Sequence, residues 1–137
     1  MEVITQVERT FTQLDHLRLL RLVAQPAGAH VPSAEELQDL LDNGQLVESR
    51  EVPPTVVTMY SQVLVEDATG THQLTCCYPQ DADPAHGFVS VLSPVGAALI
   101  GLRAGEVARW RTPGGQVASA RILSVLFQPE ASGDYTT

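Results

Sequence analysis

Two adjacent cysteines are the first candidates for chemistry in this sequence. Cys76 and Cys77 lie in a strand-like run, and His72 precedes them in the same run. Neighbouring side chains of a strand point to opposite faces, so the two thiols are predicted to diverge. Adjacent cysteines rarely form an unstrained disulfide, and the sequence has no C-x-x-C spacing typical of metal sites. We therefore predict no metal site, no disulfide framework and a thiol-reducing compartment.

A serine nucleophile is the second candidate. Ser93 lacks the flanking glycines of the strand–turn–helix motif that exposes the nucleophile of α/β-hydrolases. It directly precedes Pro94; serine is a preferred helix cap, and proline is favoured in the first helical turn. Ser93 is therefore predicted to cap a short apolar helix over residues 94–102.

Phosphate binding and paired carboxylates are the remaining candidates. The chain contains no lysine, whereas a P-loop requires one, and Pro113-Gly114-Gly115 is typical of a hairpin turn. Either of the pairs Glu35–Glu36 and Glu66–Asp67 is a conceivable Mg²⁺ ligand with a partner's help. Helix capping and a turn explain both pairs locally. We predict no catalytic residue, no metal and no cofactor, and expect that the chain is not an enzyme.

Two short helices are predicted near the N-terminus. Asp15 is the expected cap of a helix that runs to about Ala24, and the capping box Ser33–Glu36 begins a second helix that stops at Gly44. The short loop between them predicts an antiparallel helical hairpin with helices of about 15 Å each. Residues 1–14 form an N-terminal extension with two possible conformations. Thr5–Glu8 has the pattern of a capping box that begins a helix, whereas Thr10–Thr12 is strand-like.

A sheet is predicted after residue 47. The strands are expected at 56–65, 73–78, 88–92, 106–112 and 116–127, with turns at 68–71 and 113–115 and a polar tail from residue 128. Alternation in the fourth strand places Arg109 and Arg111 on the face opposite Trp110. The fold class is α+β: an antiparallel sheet wrapped around one short helix, preceded by the helical hairpin.

Charge and length restrict the classes of partner. The 137 residues are enough for one domain, or one domain with a small appendage, and the formal net charge is −8. An acidic chain repels phosphate backbones, so we expect no direct sequence-specific nucleic-acid binding. The acidity suits a basic protein partner, although acidic surfaces also simply keep small proteins in solution. No apolar run spans a bilayer and no signal peptide is evident, so we expect a cytoplasmic protein without membrane contact.

Residues 88–106, followed by Pro113-Gly114-Gly115, resemble the C-terminal domain of the bacterial elongation factors GreA and GreB. Within this superfamily the residues are most similar to the branch of regulators of nucleoside diphosphate kinase (Rnk). Further marks of that branch are Val56–Met59, Tyr78–Pro79, Trp110 and the C-terminal residues 128–135. The resemblance implies an FKBP-like domain over residues 47–137, after an N-terminal extension and truncated coiled coil over residues 1–46.

The resemblance also implies a partner. Proteins of this superfamily dock on RNA polymerase near its secondary channel, and Gre factors insert a long coiled coil whose acidic tip helps to hold a catalytic Mg²⁺. Here the predicted helices are far shorter, and residues 25–32 contain no Asp or Glu. The residues expected to contact the polymerase are Leu92, Ser93, Pro94 and Val95; the hairpin tip is predicted at Pro26, Ala27, Gly28, Ala29 and His30.

The predicted function is therefore that of an RNA polymerase-binding transcription regulator. It would act at or near the secondary channel of the core enzyme, compete with Gre-type factors and not stimulate transcript cleavage. Two alternatives stay open. One is a GreA/GreB-type factor that stimulates cleavage, and the other is a regulator of nucleoside diphosphate kinase with no polymerase binding.

Overall fold

The computed structural model describes residues 8–25, 32–112 and 114–134. Within these ranges the chain forms three α-helices and seven β-strands, with short 3₁₀ turns between them. Their order is β1 (Thr10–Thr12), α1 (Gln13–Ala24), α2 (Pro32–Asn43), β2 (Gln45–Val47), β3 (Gln62–Asp67), β4 (Gly70–Cys77), β5 (Phe88–Ser90), α3 (Pro94–Leu99), β6 (Val107–Arg111) and β7 (Val117–Phe127).

The first helix begins earlier than predicted. Thr12, in extended conformation at the end of β1, caps α1 because its Oγ1 accepts the hydrogen bond of the Asp15 N–H at 3.0 Å. The predicted cap at Asp15 is wrong, because that side chain points into the protein and is only 2% exposed. The N-terminal strand, one of two open readings of this segment, pairs in parallel with β2.

The two N-terminal helices pack against each other through leucine and valine side chains. Leu19 and Val23 of α1 meet Leu37 and Leu41 of α2 in one buried cluster. The His16 Nε2 lies 3.0 Å from the Leu41 carbonyl oxygen, so the start of α1 lies beside the end of α2. We call β1, α1, α2 and β2 together the helical unit.

The start of the second helix and the hairpin tip were both predicted from the sequence. Helix α2 already includes Pro32, so Ser33 lies inside the helix and is not its cap, in keeping with the preference of proline for the first helical position. Each helix has 12 residues, or about 18 Å. The predicted tip residues 26–30 lie outside the described part of the chain.

The second sheet is curled and has five strands in the order β5-β4-β3-β7-β6. The pairs β3–β4, β3–β7 and β6–β7 are antiparallel, as predicted. Strand β5 runs parallel to β4, so the prediction of a purely antiparallel sheet is wrong. The reason is the connection: two 3₁₀ turns, Pro79–Asp81 and Pro84–His86, carry the chain back before β5 begins.

The predicted strand over residues 56–65 begins only at Gln62. Upstream, the Val57 N–H donates to the Leu102 carbonyl and the Val57 carbonyl accepts from the Gly101 N–H, at 2.8 and 2.9 Å. This segment is therefore bonded to the loop after α3, and Tyr60 with φ 65° interrupts the extended backbone. The same loop ends α3 at Leu99 and not at residue 102, because Gly101 has φ 84°.

Two hydrophobic clusters form the interior. The second contains the inner face of the sheet and α3, with half-buried Trp110 against it; its buried members are Val57, Val63, Val65, Ala98, Leu99, Leu102, Ala108, Ala120 and Ile122. The first joins the helical unit to the sheet, since Leu19 and Leu41 share it with Cys76 of β4. This cluster crosses the predicted domain boundary between residues 46 and 47.

The C-terminal segment is anchored to the protein as far as it is described. The predicted polar tail begins at Gln128, but that side chain is 3% exposed and donates to the carbonyl oxygens of Pro53 and Val56 at 2.8 and 2.9 Å. Glu130 is 8% exposed and opens a 3₁₀ turn. Residues 128–134 are therefore part of the folded structure, because their polar groups bond to the backbone and to buried hydroxyls.

Candidate functional site

A tightly bonded corner lies between β5 and α3. Ser93 caps α3, as predicted: its Oγ accepts from the Gly96 N–H at 3.1 Å and donates to the Ser90 carbonyl oxygen at 2.6 Å. The Leu92 N–H donates to the Ser90 Oγ at 3.1 Å. A Cβ at Gly96 would overlap the Ser90 carbonyl. Only glycine at this position therefore lets α3 lie so close to the end of β5. The corner is thus rigid before any partner arrives.

The four residues predicted to contact a partner differ in exposure. Pro94 is exposed, whereas Ser93 and Val95 are half-buried. Leu92 is 8% exposed and belongs to the first hydrophobic cluster. The surface of the corner is therefore presented by Pro94, and Leu92 supports it from the interior.

A cleft of about 710 Å³ opens beside this corner, between α2 on one side and α3 with β6 on the other. Buried Ala97 and Ala98 contribute to its lining, and Trp110 lies half-buried in it. Glu36 and Asp39 line it from α2, and both are exposed. Sequence reasoning missed this role for α2, because the cleft forms between elements about 60 residues apart and no local pattern signals it.

Arg9 joins the helical unit to the end of α3. Its Nη1 donates to the carbonyl oxygens of Ile100 and Ala97 at 2.9 and 3.2 Å. These carbonyls lie at the helix C-terminus, where a cation is favoured. Burial lowers the pKa of Arg9 to about 10, and the nearby Glu106 carboxylate opposes this shift. The Thr10 N–H continues the junction by donating to the Gly101 carbonyl at 3.0 Å.

A buried polar network joins α1 to the segment before β3 and to the C-terminal 3₁₀ turn, on the other side of the helical unit. The Asp15 Oδ2 accepts from the Met59 N–H at 3.0 Å. Thr58 Oγ1 donates to Glu130 Oε1 at 2.7 Å, and Ser61 Oγ lies 2.7 Å from the same hydroxyl. Three segments that are distant in sequence therefore meet through side-chain hydrogen bonds.

Both carboxyls of this network have raised pKa values. Burial raises the pKa of Asp15 to about 7; the Met59 N–H opposes the shift and the Glu130 carboxylate adds to it. Burial is also the main cause of the raised pKa of Glu130, against which the Thr58 hydroxyl acts. A nearby carboxylate adds to each shift, namely Glu130 for Asp15 and Asp134 for Glu130, because like charges disfavour the charged form.

The two cysteines are free and buried. Cys76 Sγ lies 3.7 Å from the Gly96 carbonyl oxygen, and Cys77 Sγ lies 3.5 Å from that of Val89. Burial raises the pKa of both thiols, which disfavours the reactive thiolate. Across the described ranges, no three His, Cys, Asp or Glu side chains are arranged to hold a metal ion. Each helix in those ranges is also too short or too polar to cross a membrane.

Comparison with known proteins defines the class. The model of the family described as "Transcription elongation factor, GreA/GreB, C-term" matches residues 52–127, which include the corner, α3 and β6. A solved structure of a prokaryotic GreA/GreB elongation factor from Nitrosomonas europaea superposes with a TM-score of 0.73 at 35% sequence identity, covering 88% of this chain and 99% of that one. The chain belongs to the GreA/GreB family of transcription elongation factors.

Within the family, the chain is similar to a named regulator over nearly its full length. It is 40% identical over 124 residues to the regulator of nucleoside diphosphate kinase of Escherichia coli K12, covering 89% of this chain and 91% of that protein. It is 35% identical over 92 residues to GreA of Clostridium botulinum (strain Hall), covering 66% of this chain and 57% of GreA. The predicted resemblance is confirmed, and the similarity supports a regulator of the transcription-factor type.

Proposed function

We propose that this protein binds the core of RNA polymerase and regulates transcription at or near the secondary channel, without stimulating transcript cleavage. The observation that carries the proposal is the rigid Ser93–Pro94 corner, exposed at Pro94, within the region that matches the family of elongation factors. A preorganised, exposed corner loses little conformational entropy on binding and suits a docking role. In this proposal Ser93 and Val95 contact the polymerase beside Pro94, and Leu92 supports them from the core.

The proposal includes a finer description of the architecture. The sheet that curls around α3 is an FKBP-like docking domain over residues 47–137. Residues 1–46 comprise an N-terminal extension and a shortened antiparallel helical hairpin, whose tip is predicted at residues 26–30. The adjacent ends of α1 and α2, close at His16 and Leu41, support this arrangement.

The absence of cleavage stimulation follows from the chemistry of the tip. Holding a catalytic Mg²⁺ requires hard oxygen ligands, chiefly carboxylates. The segment of residues 25–32 reads QPAGAHVP and contains none. The residues at this tip therefore do not fit the role of holding a catalytic Mg²⁺, and no cleavage step is assigned to the protein.

Competition with a Gre-type factor tests the proposal. Labelled GreA or GreB is bound to core RNA polymerase, and the complex is titrated with this protein. We expect displacement at micromolar concentration or below, because both proteins would occupy the same entrance. A failure to bind the polymerase at all would overturn the proposal. Cleavage of backtracked complexes above the intrinsic rate of the polymerase would overturn the second part of it.

A second candidate function comes from the similarity to a regulator of nucleoside diphosphate kinase. In that case the protein acts on the kinase or on its expression, with no polymerase contact. A pull-down of purified nucleoside diphosphate kinase, run beside the polymerase assay, separates the two candidates. Kinase binding without polymerase binding would favour the second.

A further inference from the structure

The five-stranded sheet has an outer face, opposite the face on which α3 packs. Val63 and Val65 of β3 are buried in the cluster that contains α3. Alternation along the strand therefore turns Gln62, Leu64 and Glu66 to the outside. The strand register continues this outer face across β7 and β6, where it includes Arg109, Arg111, Val117, Arg121 and Phe127.

Two β-bulges make the middle of the outer face apolar. Leu123 and Leu126 are the extra residues of β7 at the two points where its register against β3 shifts, and they are 39% and 51% exposed. Phe127 beside them is 42% exposed, and half-buried Leu64 belongs to neither hydrophobic cluster. Bulges redirect side chains, and neighbouring exposed apolar side chains mark an interaction surface.

The end of the outer face towards the β6–β7 hairpin is basic. Its exposed arginines are Arg109, Arg111 and Arg121. Glu66, the register partner of Arg121, is an exposed carboxylate on the same face. The neighbouring carboxylates of Glu106 and Asp67 accept from backbone N–H groups at 2.7 and 2.8 Å. Three guanidinium groups thus outnumber the exposed carboxylate of Glu66, in a chain whose net charge is −8.

The end of the outer face beyond Phe127 is acidic. Strand β7 leads into the C-terminal 3₁₀ turn, which contacts the 3₁₀ turn Ser49–Glu51. The exposed carboxylates here belong to Glu48, Glu51 and Asp134, and Arg50 is the basic residue among them. Along β7 the surface therefore changes from basic through apolar to acidic.

A surface with this order of properties is complementary to itself. A twofold axis through the apolar middle places the apolar residues of two copies against each other and the basic end of each copy over the acidic end of the other. We propose that the outer face binds a second copy of this chain in an antiparallel, twofold-symmetric dimer. Nucleic acid is a poorer match, because leucine side chains do not stack on bases and the net charge repels phosphates.

The size of the outer face sets the expected affinity. Strand β7 has 11 residues, so the face is about 36 Å long, and three strands make it about 15 Å wide. Each copy then contributes roughly 500 Å², at the lower end of specific interfaces, and we expect a dissociation constant of about 10–100 μM. Because α3 packs against the inner face, the dimer leaves the Ser93–Pro94 corner of each copy uncovered.

Matched substitutions of exposed leucines test which face is used. Sedimentation equilibrium of the wild type should give a mass that rises from 14.7 kDa towards twice that value as concentration increases to about 500 μM. Leu123→Asp should raise the dissociation constant at least about tenfold, whereas Leu17→Asp on α1 should stay within about twofold. A wild type that remains monomeric, or equal weakening by both variants, would overturn the proposal.

A charge exchange tests the antiparallel arrangement. Arg111→Glu and Glu51→Arg each bring like charges together between the copies, so each should weaken the dimer several-fold. The double variant Arg111→Glu/Glu51→Arg restores opposite charges and should return to within about twofold of the wild type. Arg21→Glu, an exposed control on α1, should have no effect. Effects of Arg111→Glu and Glu51→Arg that simply add in the double variant would overturn the arrangement.

Two further measurements separate this proposal from its alternatives. Binding of a labelled single-stranded oligonucleotide by the wild type, lost in Arg111→Glu, would assign the outer face to nucleic acid and overturn the dimer. Core RNA polymerase should bind Leu123→Asp as it binds the wild type, because the corner lies on the other side of the sheet. Weaker polymerase binding by Leu123→Asp would show that the outer face contacts the polymerase and is not reserved for a second copy.

Discussion

The helical unit meets the sheet on two sides, and the two contacts differ in kind. On the side of α1, buried Leu19 lies in a cluster shared with the sheet, and the Asp15 carboxylate accepts from the Met59 N–H. On the side of α2, a cleft of about 710 Å³ separates exposed Glu36 and Asp39 from α3 and β6. The first contact is closed and the second is open.

The difference assigns separate roles to the two contacts. Buried apolar area and the hydrogen bond from the Met59 N–H to Asp15 stabilise the closed contact and determine where the helical unit lies. Charged side chains on an open rim contribute little to folding, but they remain available to a partner. The comparison therefore predicts that substitutions of the closed contact change stability, whereas substitutions of the open contact change binding alone.

The largest effect is expected in the closed contact. Leu19→Ala removes a fully buried side chain and leaves a cavity between α1 and the sheet, so unfolding free energy should fall by about 3 kcal/mol. Urea denaturation measures the loss. Leu17→Ala, on the same helix but 47% exposed, should change stability by less than about 0.5 kcal/mol. Equal effects of the two substitutions would contradict a closed contact.

The pH dependence of stability probes the same contact. Because burial raises the pKa of Asp15 from 3.8 to about 7, the folded state binds this proton more tightly than the unfolded state. Between these two values stability therefore falls as pH rises, by up to about 1.4 kcal/mol per pH unit from this group. Asp15→Asn removes that contribution, so the variant should gain about 1–3 kcal/mol relative to the wild type between pH 4 and pH 7.5.

Denaturation curves collected across this pH range check the expectation. Glu130 also has a raised pKa, so some decline should persist in the variant. The informative quantity is therefore the difference between the two proteins at each pH. If the unfolding free energies of the wild type and Asp15→Asn changed in parallel with pH, the Asp15 carboxyl would be solvated. The closed contact would then contain no buried carboxyl.

A smaller effect is expected at the corner that borders the open contact. Ser93→Ala removes the hydroxyl that caps α3 at Gly96, which should lower unfolding free energy by about 1 kcal/mol. Ser93→Thr keeps a capping hydroxyl and should recover most of the loss. Thermal denaturation monitored by circular dichroism compares the three proteins. A threonine variant as unstable as the alanine variant would argue against the cap as the cause.

The smallest effect on stability is expected at the wall of the cleft. Asp39 is exposed in the middle of α2, so Asp39→Lys should change unfolding free energy by no more than about 0.5 kcal/mol. Chemical denaturation at neutral pH is the measurement. A loss comparable to that of Leu19→Ala would mean that the open contact also supports the fold, and the comparison between the two sides would fail.

Local patterns in the sequence were sufficient for several elements. Both strands of the hairpin β6–β7 are confirmed, because alternation and the Gly114-Gly115 turn are short-range signals. The cap at Ser93 is confirmed for the same reason. These features depend on residues within a few positions of one another, which is the range over which residue type determines conformation.

Long-range pairing explains what the sequence did not predict. Val57 reads as part of a strand, yet its backbone bonds to Gly101 and Leu102 after α3. Gln128 reads as the start of a polar tail, yet it bonds to Pro53 and Val56. In each case the deciding partner lies more than 40 residues away. The cleft was not predicted for the same reason, because its two walls, α2 and the pair α3–β6, are distant in sequence.

The parallel pairing of β1 with β2 has a consequence for the length of the two N-terminal helices. Thr10 pairs with Gln45 and Thr12 with Val47, so the strand before α1 and the strand after α2 are hydrogen-bonded to each other in one register. Whole turns can be added to or removed from α1 and α2 while the hydrogen bonds between β1 and β2 keep this register. The length of the two helices and their attachment to the rest of the protein are therefore independent. Natural selection or protein design can change the first while keeping the second.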